Sequence, residues 1–393
     1  MIDALVIGAG PAGLMAAEML ADAGHSVVVA DAKPSLGRKF LMAGKSGLNL
    51  TKSEDTNAFL AAYIDASGLL KPSLEAFGNK EVLTWSETLG QDTFVGSTRR
   101  VFPKTMKSSP LLRAWLLRLA NKGVQFKTRW RWTGWSENTF TFETPDGPET
   151  LEPKATVLAL GGASWAKLGS DGAWVKLLAE RGIQTAPFEP SNMGVAVNWS
   201  KFMEPHFGKP LKNIAMTVGT DTRKGECVLS KSGLEGSLTY HFSNGFRAIQ
   251  PLLIDLLPDQ NVETLQAKIN AQSTKTSLAN VLRKALKLDV TKSALVMEYA
   301  RATPRETLAK TVKSLPIPYT GTAPIDLAIS VAGGVRQADL TAGFMLKSLA
   351  GTFCAGEMLD WEAPTGGYLI TACLATGRTA GITAADYITQ VHS

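Results

Sequence analysis

Residues 5–20 read LVIGAGPAGLMAAEML, and this stretch predicts the fold of the segment around it. The apolar run Ala4–Ile7 is typical of a buried parallel strand, and the residues from Pro11 to Ala23 fit a helix. A second apolar run, Val27–Ala30, ends at Asp31. The order strand, glycine-rich turn, helix, strand and acid predicts the βαβ unit of a Rossmann-type domain.

The glycines of this turn have the GxGxxG spacing that suits a dinucleotide. Gly8 allows the tight turn, Gly10 lets the backbone approach a pyrophosphate, and Gly13 lets the helix pack closely on the strand. Asp31 ends the second strand, where a carboxylate accepts hydrogen bonds from ribose hydroxyls. We therefore predict a dinucleotide site; the alternative is a glycine-rich turn that only packs.

The segment after Asp31 favours FAD over NAD as the bound dinucleotide. Residues 37–51 read GRKFLMAGKSGLNLT and have no clear amphipathic period, which predicts a loop. Arg38 and Lys39 can neutralise phosphate, and Gly44 and Gly47 permit close backbone approach. An extended cofactor needs such additional contacts. The alternative for the two basic residues is a solvated turn.

A second glycine-rich segment lies almost a chain length away. Residues 351–360, GTFCAGEMLD, predict a short strand that ends at a glycine and acids, with Asp360 placed to hydrogen-bond a ribityl chain or phosphate. TGGY at 365–368 lets the backbone approach a flavin ring, and the helix predicted over 370–388 directs its N-terminus towards it. The two segments are therefore interpreted as binding the two ends of one FAD.

The middle of the chain predicts an insertion. A buried strand over Thr156–Leu160 runs into Gly161 and Gly162, which are expected beside the cofactor, and the alternating residues 139–144 predict a small antiparallel hairpin or meander. From Pro190 short strands, then a helical segment and then strands follow. This order predicts an α/β fold: a doubly wound Rossmann-type FAD-binding domain, interrupted by a β domain that carries a helical subdomain.

The boundaries follow from these changes in pattern. We predict an FAD-binding domain of residues 1–189 and 323–393, and an inserted domain of residues 190–322 with its helical subdomain at about 258–312.

Composition excludes several classes of protein. The 393 residues are 45% hydrophobic and 19% charged, an ordinary globular composition, and no apolar run has the length of a membrane span. Asp3 stands where a signal peptide would be positive, so we expect a cytoplasmic protein with no membrane partner. Three cysteines without a CxxC pair make a disulfide framework or metal site unlikely on chemical grounds.

Taken together, the motifs resemble the HI0933-like flavoprotein family, which includes BaiN-type and aminoacetone-oxidase-like FAD-binding proteins. The resemblance runs nearly end to end and is carried by GAGPAGLMAA, GRKFLMAGKSGLNLT, RVFPKT, LALGGASW, GSDGAW, SVAGGV and GEMLDWEAPTGGY. It implies the fold predicted above, with FAD as cofactor. Together with the motifs it predicts a cofactor-binding set: Gly8, Gly10, Pro11, Ala12, Gly13, Asp31, Ala32, Lys33, Arg38, Lys39, Gly44, Asn49, Trp132, Gly161, Gly162, Gly356, Glu357, Asp360, Gly366, Gly367 and Tyr368.

The chain departs from the family pattern at three places. Asp31 replaces the usual Glu, residues 47–48 are Gly-Leu where the family often has Arg-Cys before Asn49, and residues 230–231 are Ser-Lys where it often has Thr-His. No redox or acid–base role of that Cys or His transfers to this chain. We expect a divergent branch, with a substrate of its own.

The lead hypothesis is an FAD-dependent oxidoreductase that acts on a small organic molecule. The absence of a second GxGxxG and of CxxC argues against a disulfide reductase, while NAD(P)H remains a candidate electron donor and O₂ a candidate acceptor. No histidine lies in a recognisable catalytic motif, so the catalytic residues stay unknown. Lys45 is the one weak candidate, and the alternative for it is a solvated loop lysine.

The competing hypothesis is a flavoprotein that binds or modifies RNA through a basic surface. The net charge of +6 invites it, and RWRWTGW at 129–135 with the basic residues near Arg99 would be the contacts. The simpler interpretation is a half-buried sheet and basic residues scattered over a large surface. We therefore expect nucleic acid to be a less favoured partner, and the oligomeric state cannot be predicted.

Overall fold

The computed structural model describes residues 2–45, 47–63 and 67–392. The chain divides into two compact units. The first unit comprises Met1–Glu189 and Ser330–Ser393, and the second comprises Pro190–Ile329. The second unit interrupts the first, and it includes residues 323–329, which the sequence analysis assigned to the first domain.

The strands are numbered in chain order. They are β1 Ile2–Ile7, β2 Val27–Asp31, β3 Thr51–Lys52, β4 Thr93–Val95, β5 Arg100–Pro103, β6 Gln125–Thr128, β7 Arg131–Ser136, β8 Thr139–Thr144, β9 Gly147–Leu151, β10 Pro153–Leu158, β11 Thr185–Ser191, β12 Val195–Ala196, β13 Pro210–Val218, β14 Asp221–Ser230, β15 Gly233–Glu235, β16 Leu252–Asp255, β17 Leu315–Pro316, β18 Gly321–Thr322, β19 Ser330–Val335 and β20 Thr352–Cys354.

The helices are numbered in the same way. They are α1 Pro11–Asp22, α2 Arg38–Ala43, α3 Thr56–Leu60, α4 Ser67–Ala76, α5 Asn79–Thr88, α6 Ser108–Asn121, α7 Trp174–Ala179, α8 Ser237–His241, α9 Ser243–Arg247, α10 Val262–Asn270, α11 Leu278–Asn280, α12 Val290–Tyr299, α13 Leu308–Lys313 and α14 Tyr368–His392. Short 3₁₀ turns occupy Ala166–Leu168, Lys201–His206, Ile325–Leu327, Gln337–Asp339 and Gly356–Met358, and Val281–Ala285 is π-helical.

A parallel sheet organises the first unit, with strand order β20-β10-β1-β2-β6. Val6 of β1 lies opposite Val29 of β2 and Val157 of β10, and all three side chains are buried. Continuous apolar strands of this kind occur where helices cover both faces of a sheet. The Rossmann-type α/β fold predicted from residues 4–31 is confirmed.

The last helix packs against the first through small residues. A Cβ added to Gly377 of α14 would lie 2.2 Å from the carbonyl oxygen of Ala12, and one added to Gly381 would lie 2.6 Å from that of Ala16. Glycines four residues apart share one helix face and allow two backbones to approach closely. The packing joins the C-terminal segment to the helix that follows the GxGxxG turn.

The basic segment after Asp31 differs from the prediction. Residues Arg38–Ala43 form helix α2, whereas the sequence analysis predicted a loop. Gly37 precedes the helix with a φ of 65°, Gly44 ends it, and Phe40 is its buried residue. RKFLMA consists mainly of residues with good helix propensity, and one buried anchor suffices for so short a helix, so no amphipathic period is visible.

The structure also has two small antiparallel sheets and one further two-stranded sheet. β7, β8 and β9 form the predicted meander, and β3-β5-β4 form a second small sheet. β11 pairs with β19.

The second unit has an antiparallel sheet and a core of its own. The strand order is β17-β16-β13-β14-β15-β12-β18. Helices α10 to α13 follow β16, and their buried Leu265, Ile269 and Leu295 belong to the same core as Met216 of β13. The helical segment is therefore built onto the sheet of this unit.

Within residues 2–45, 47–63 and 67–392, none of the helices combines the length and the apolarity needed for a bilayer span. The same described part of the chain holds no group of three or more His, Cys, Asp or Glu side chains that is suited to a metal ion.

Candidate cofactor and active site

One cavity of the first unit brings both glycine-rich segments together. Gly10 of the N-terminal turn and Gly356 of the C-terminal segment line the same cavity, although they are almost a chain length apart. The predicted residues that line it are Gly8, Gly10, Pro11, Ala12, Asp31, Ala32, Arg38, Lys39, Trp132, Gly161, Gly356 and Glu357. The cavity lies where β1 and β2 end, the usual ligand position in open parallel sheets.

The three glycines of the turn differ in what surrounds them. A Cβ on Gly8 would lie 2.2 Å from the carbonyl oxygen of Ala159, and one on Gly13 would lie 1.9 Å from that of Gly8. A Cβ on Gly10 would meet no protein atom within 4 Å. Gly8 and Gly13 are thus required by the protein's own packing, whereas the space at Gly10 is left open for something else.

Asp31 is held in place by backbone donors. Its Oδ2 accepts from the Ala9 N–H at 2.9 Å and its Oδ1 accepts from the Lys33 N–H at 2.8 Å. Burial raises the pKa of this carboxyl, and the hydrogen bonds from Lys33 and Ala9 oppose the rise. Each carboxylate oxygen has a further lone pair with which it can accept a ligand hydroxyl.

Two buried polar atoms of the cavity lining have no hydrogen-bond partner within the described chain. They are Nε of Arg38 and Oγ of Ser170, and both residues line the cavity. Buried polar groups are nearly always paired in folded proteins, so orphaned donors facing a cavity indicate a ligand with acceptor oxygens. With the open space at Gly10, these atoms make the residues fit a phosphate-bearing cofactor such as FAD. The cofactor-binding set predicted from the sequence does not include Ser170.

A half-buried ion pair joins the two halves of the cavity lining. Lys39 Nζ donates to Glu357 Oε2 at 2.6 Å and to Ser164 Oγ at 2.8 Å. Cys373 lines the cavity beside them, and burial, with Glu357 second, raises the pKa of its thiol to about 12. Lys39 is the positive charge at this point of the cavity. The sequence analysis named neither Ser164, although it lies in the motif LALGGASW, nor Cys373, which lies in no recognised motif.

The other predicted cofactor residues do not line this cavity. Gly13 packs on Gly8, Gly44 packs on Ser108, and Gly162 packs on Val331. The carboxyl group of Asp360 accepts a hydrogen bond from the Gly333 backbone, and burial raises its pKa. The predicted residues outside the lining are Gly13, Lys33, Gly44, Asn49, Gly162, Asp360, Gly366, Gly367 and Tyr368.

Several of these residues form a second group around β3. A Cβ on Gly367 would lie 2.4 Å from Cα of Thr51, so the glycine is required by close backbone contact. With its amide oriented to satisfy both groups, Asn49 donates to the Thr51 carbonyl at 3.0 Å and accepts from the Gly367 N–H at 3.3 Å. The segment around Asn49 and the TGGY segment are thus brought together, as one shared site requires.

A hydrogen-bonded cluster lies beside them. Tyr368 Oη donates to Glu54 Oε1 at 2.5 Å and accepts from Lys52 Nζ at 2.8 Å, and Lys52 pairs with Glu54 at 3.0 Å. Burial and then Glu54 raise the pKa of the Tyr368 hydroxyl, which is therefore protonated at neutral pH. Lys52 and Glu54 were not predicted, because TKSE in the sequence gives no sign that the fold brings them to Tyr368. Lys45, by contrast, is exposed and lies outside the cavity lining.

The residues proposed as RNA contacts form packing contacts and ion pairs within the protein. Trp132 is buried, lines the cavity and stacks on Trp135 with ring centroids 4.6 Å apart. Arg131 pairs with Asp171, and Lys104 pairs with Asp92. This part of the structure favours the half-buried sheet over a base-stacking platform.

Comparison with known proteins places the chain in a family. The family model described as the HI0933-like protein Rossmann domain matches residues 2–383. A 3-dehydro-bile acid delta(4,6)-reductase of Clostridium scindens is 23% identical, with 97% of this chain and 98% of the relative covered. A ribosomal RNA dihydrouridine synthase of Escherichia coli is 24% identical over 93% of this chain and 94% of the relative, and its Haemophilus influenzae counterpart is 25% identical at the same coverage.

Solved structures agree on the fold. A 3-ketosteroid-delta4-(5alpha)-dehydrogenase from Rhodococcus jostii RHA1 aligns with a TM-score of 0.55 at 15% identity, over 98% of this chain and 96% of that one. Because the family model spans nearly the whole described sequence, the resemblance seen in the motifs is confirmed, and the chain belongs to the HI0933-like family.

Proposed function

We propose that this chain is an FAD-dependent reductase that adds hydrogen to a carbon–carbon double bond conjugated to a carbonyl group. The observation that carries the cofactor assignment is the cavity shared by Gly10 and Gly356, with its open space at Gly10. The reaction class rests on the relatives: a delta(4,6)-reductase of a 3-dehydro-bile acid and a dihydrouridine synthase both saturate such a bond.

The residues that would hold FAD follow from the lining. The N-terminus of α1 and the close approach at Gly10 favour the pyrophosphate, and Asp31 would accept ribose hydroxyls. Arg38 Nε and Ser170 Oγ, which lack partners among the described residues, would donate to cofactor oxygens. Asn49 and Gly367 would border the flavin end, as the family resemblance implies.

Reduction of the double bond needs a hydride on one carbon and a proton on its neighbour. Reduced FAD supplies the hydride, which carries both electrons. We assign the proton to the Tyr368 hydroxyl, because the Lys52 ammonium at 2.8 Å would stabilise the phenolate left after transfer. In the structure this hydroxyl donates to Glu54, so transfer would require its O–H to rotate from Glu54 towards the substrate.

NAD(P)H is the proposed source of the hydride that returns FAD to its reduced form. The test is an anaerobic absorbance spectrum of the flavin-loaded protein. Addition of NADH or NADPH should bleach the flavin band, and a 3-oxo-Δ4 steroid should restore it while the product gains two hydrogens by mass spectrometry. A protein that never takes up FAD, or reduced flavin that only O₂ reoxidises, would contradict the proposal.

The second candidate has the same chemistry on a uracil base within RNA. Two relatives of nearly full coverage are named ribosomal RNA dihydrouridine synthases, which favours this substrate independently of the basic charge. Incubation of reduced protein with undermodified ribosomal RNA, followed by nucleoside mass spectrometry, separates the candidates. A two-mass-unit gain on uridine with no turnover of the steroid would select RNA.

A further inference from the structure

The chain has two strongly basic segments, residues 99–131 with ten Lys and Arg and no Asp or Glu, and residues 262–313 in the second unit. Residues 262–313 contain ten Lys and Arg against four Asp and Glu, a net charge of +6, which equals the net charge of the whole chain. The segment 262–313 comprises α10 to α13 and the π-helical turn Val281–Ala285 of the second unit.

A cavity opens within this segment. Its volume is about 310 Å³, and it is lined by Gln260, Lys268, Ala271, Gln272 and residues 284–287. Three of the lining side chains are lysines, two are glutamines, and no acidic side chain is among them. Lysine ammonium and glutamine amide groups are hydrogen-bond donors that suit an anion with several acceptor oxygens.

The cations around this cavity are free to meet a ligand, in contrast to others of the segment. Lys313 pairs with Asp255 at 2.6 Å, and Lys292 is buried against the carbonyls of Asn213 and Leu256. Lys284 and Lys287 are exposed and have no acidic partner within the described chain. Lys268 is exposed too, and its Nζ donates to Gln260 Oε1 at 2.6 Å, which holds it on the cavity rim.

The surroundings favour a nucleic acid over a membrane. A basic helix binds a bilayer when large apolar side chains accompany the charge. Of the exposed large hydrophobic residues of the described chain, one, Val290, lies in the segment 262–313. Lysines with polar neighbours are typical of contacts to a phosphodiester backbone, where they act as point charges without reading sequence.

We propose that the cavity and its lysines, the basic face formed by Lys268, Lys284 and Lys287, bind the phosphate backbone of RNA. This inference rests on the proposed function only in choosing RNA among polyanions. It places the RNA contacts in the second unit, not at RWRWTGW, where the sequence hypothesis placed them. Binding through this face needs no flavin and no turnover.

The test measures binding of the full-length, oxidised protein to a fluorescein-labelled single-stranded RNA by anisotropy, across KCl concentrations. The triple variant Lys268→Gln, Lys284→Gln, Lys287→Gln removes three phosphate contacts. The slope of log Kobs against log [KCl] should become shallower by roughly 2, since each contact contributes about 0.7 for a single strand. If the parent and the triple variant bind equally at 1 M KCl, this difference in slope corresponds to an affinity about 100-fold lower for the variant at 0.1 M KCl.

The matched control is Lys80→Gln, Lys107→Gln, Lys176→Gln, which removes the same charge from exposed lysines of the first unit. This control variant should retain most of the parent protein's affinity for RNA. Equal losses in both variants, no measurable RNA binding by the parent protein, or preference for phosphatidylserine vesicles over RNA would each overturn the proposal. Flavin reduction by NAD(P)H should be the same in all three proteins, so a failure of the proposed reductase activity is seen separately.

Discussion

The substitution Gly10→Ala tests whether the open space at Gly10 is needed for FAD binding and not for the stability of the protein itself. The φ and ψ of Gly10 are −81° and −178°, which an alanine adopts without strain, and the added Cβ meets no protein atom within 4 Å. In the FAD-free protein, Gly10→Ala should therefore raise the free energy of unfolding by about 0.4–1 kcal/mol, because alanine has less entropy in the unfolded chain. The same methyl group occupies the space that the pyrophosphate needs.

In Gly10→Ala the affinity for FAD should fall, although the free energy of unfolding of the FAD-free protein rises. A displaced pyrophosphate loses hydrogen bonds to a charged group, each worth about 1.5–3 kcal/mol, so the Kd should rise at least tenfold. The assay is denaturant unfolding of the FAD-free protein together with a titration of FAD followed by flavin fluorescence. The contrast is Gly13→Ala, whose Cβ would lie 1.9 Å from the Gly8 carbonyl oxygen and should destabilise the protein by about 1–3 kcal/mol even without FAD.

The reasoning is refuted by either of two results. If Gly10→Ala binds FAD as tightly as the parent protein, the open space at Gly10 is not the pyrophosphate site. If Gly10→Ala is destabilised without FAD as much as Gly13→Ala, the space is not open in solution.

Three further predictions concern the side chains of the site. Tyr368→Phe should keep FAD and its reduction by NAD(P)H but slow reoxidation by substrate at least about 100-fold, the usual contribution of general acid catalysis, as stopped-flow absorbance would show; an unchanged rate excludes Tyr368 as the proton donor. Lys39→Met should lower FAD affinity by about tenfold or more, since Glu357 then faces the cofactor without its partner, whereas Lys39→Arg should restore most of it in the same titration. Alkylation of Cys373 by iodoacetamide should accelerate about tenfold per pH unit between pH 7 and 10, because its pKa of about 12 leaves the thiolate fraction rising throughout, and bound FAD should protect it; peptide mass spectrometry distinguishes it from buried Cys227 and Cys354.

Local chemistry made much of the first unit predictable. The GxGxxG turn has a fixed relation between glycine spacing, turn geometry and helix packing, so β1, α1 and β2 were predicted from residues 4–31. The same holds for the meander of β7 to β9, whose alternation is a property of a few adjacent residues. The family resemblance then connected the two glycine-rich segments, which no local pattern relates.

Contacts between distant residues were not predictable in this way. Glu54 and Tyr368 are far apart in sequence, and their pairing depends on how β3 meets α14. Ser170 is unremarkable as sequence letters, and only its burial without a partner in the described chain indicates a ligand. Asp360, predicted as a ligand from its glycine-rich segment, accepts a hydrogen bond from the Gly333 backbone, and its contact with the cofactor stays a prediction.

The glycines of α14 explain why the two ends of the site require one another. Gly377 and Gly381 let α14 approach α1 so closely that its backbone passes the carbonyls of Ala12 and Ala16. That contact sets the position of the whole C-terminal segment, including Gly356 and Glu357, relative to the helix whose N-terminus follows Gly10. The residues that follow the insertion must be positioned correctly in the first unit. Here the packing of α14 on α1, close to the cavity, determines that position. The cavity therefore forms only when both segments are folded, and a bound cofactor that contacts both would stabilise the first unit as a whole by mass action.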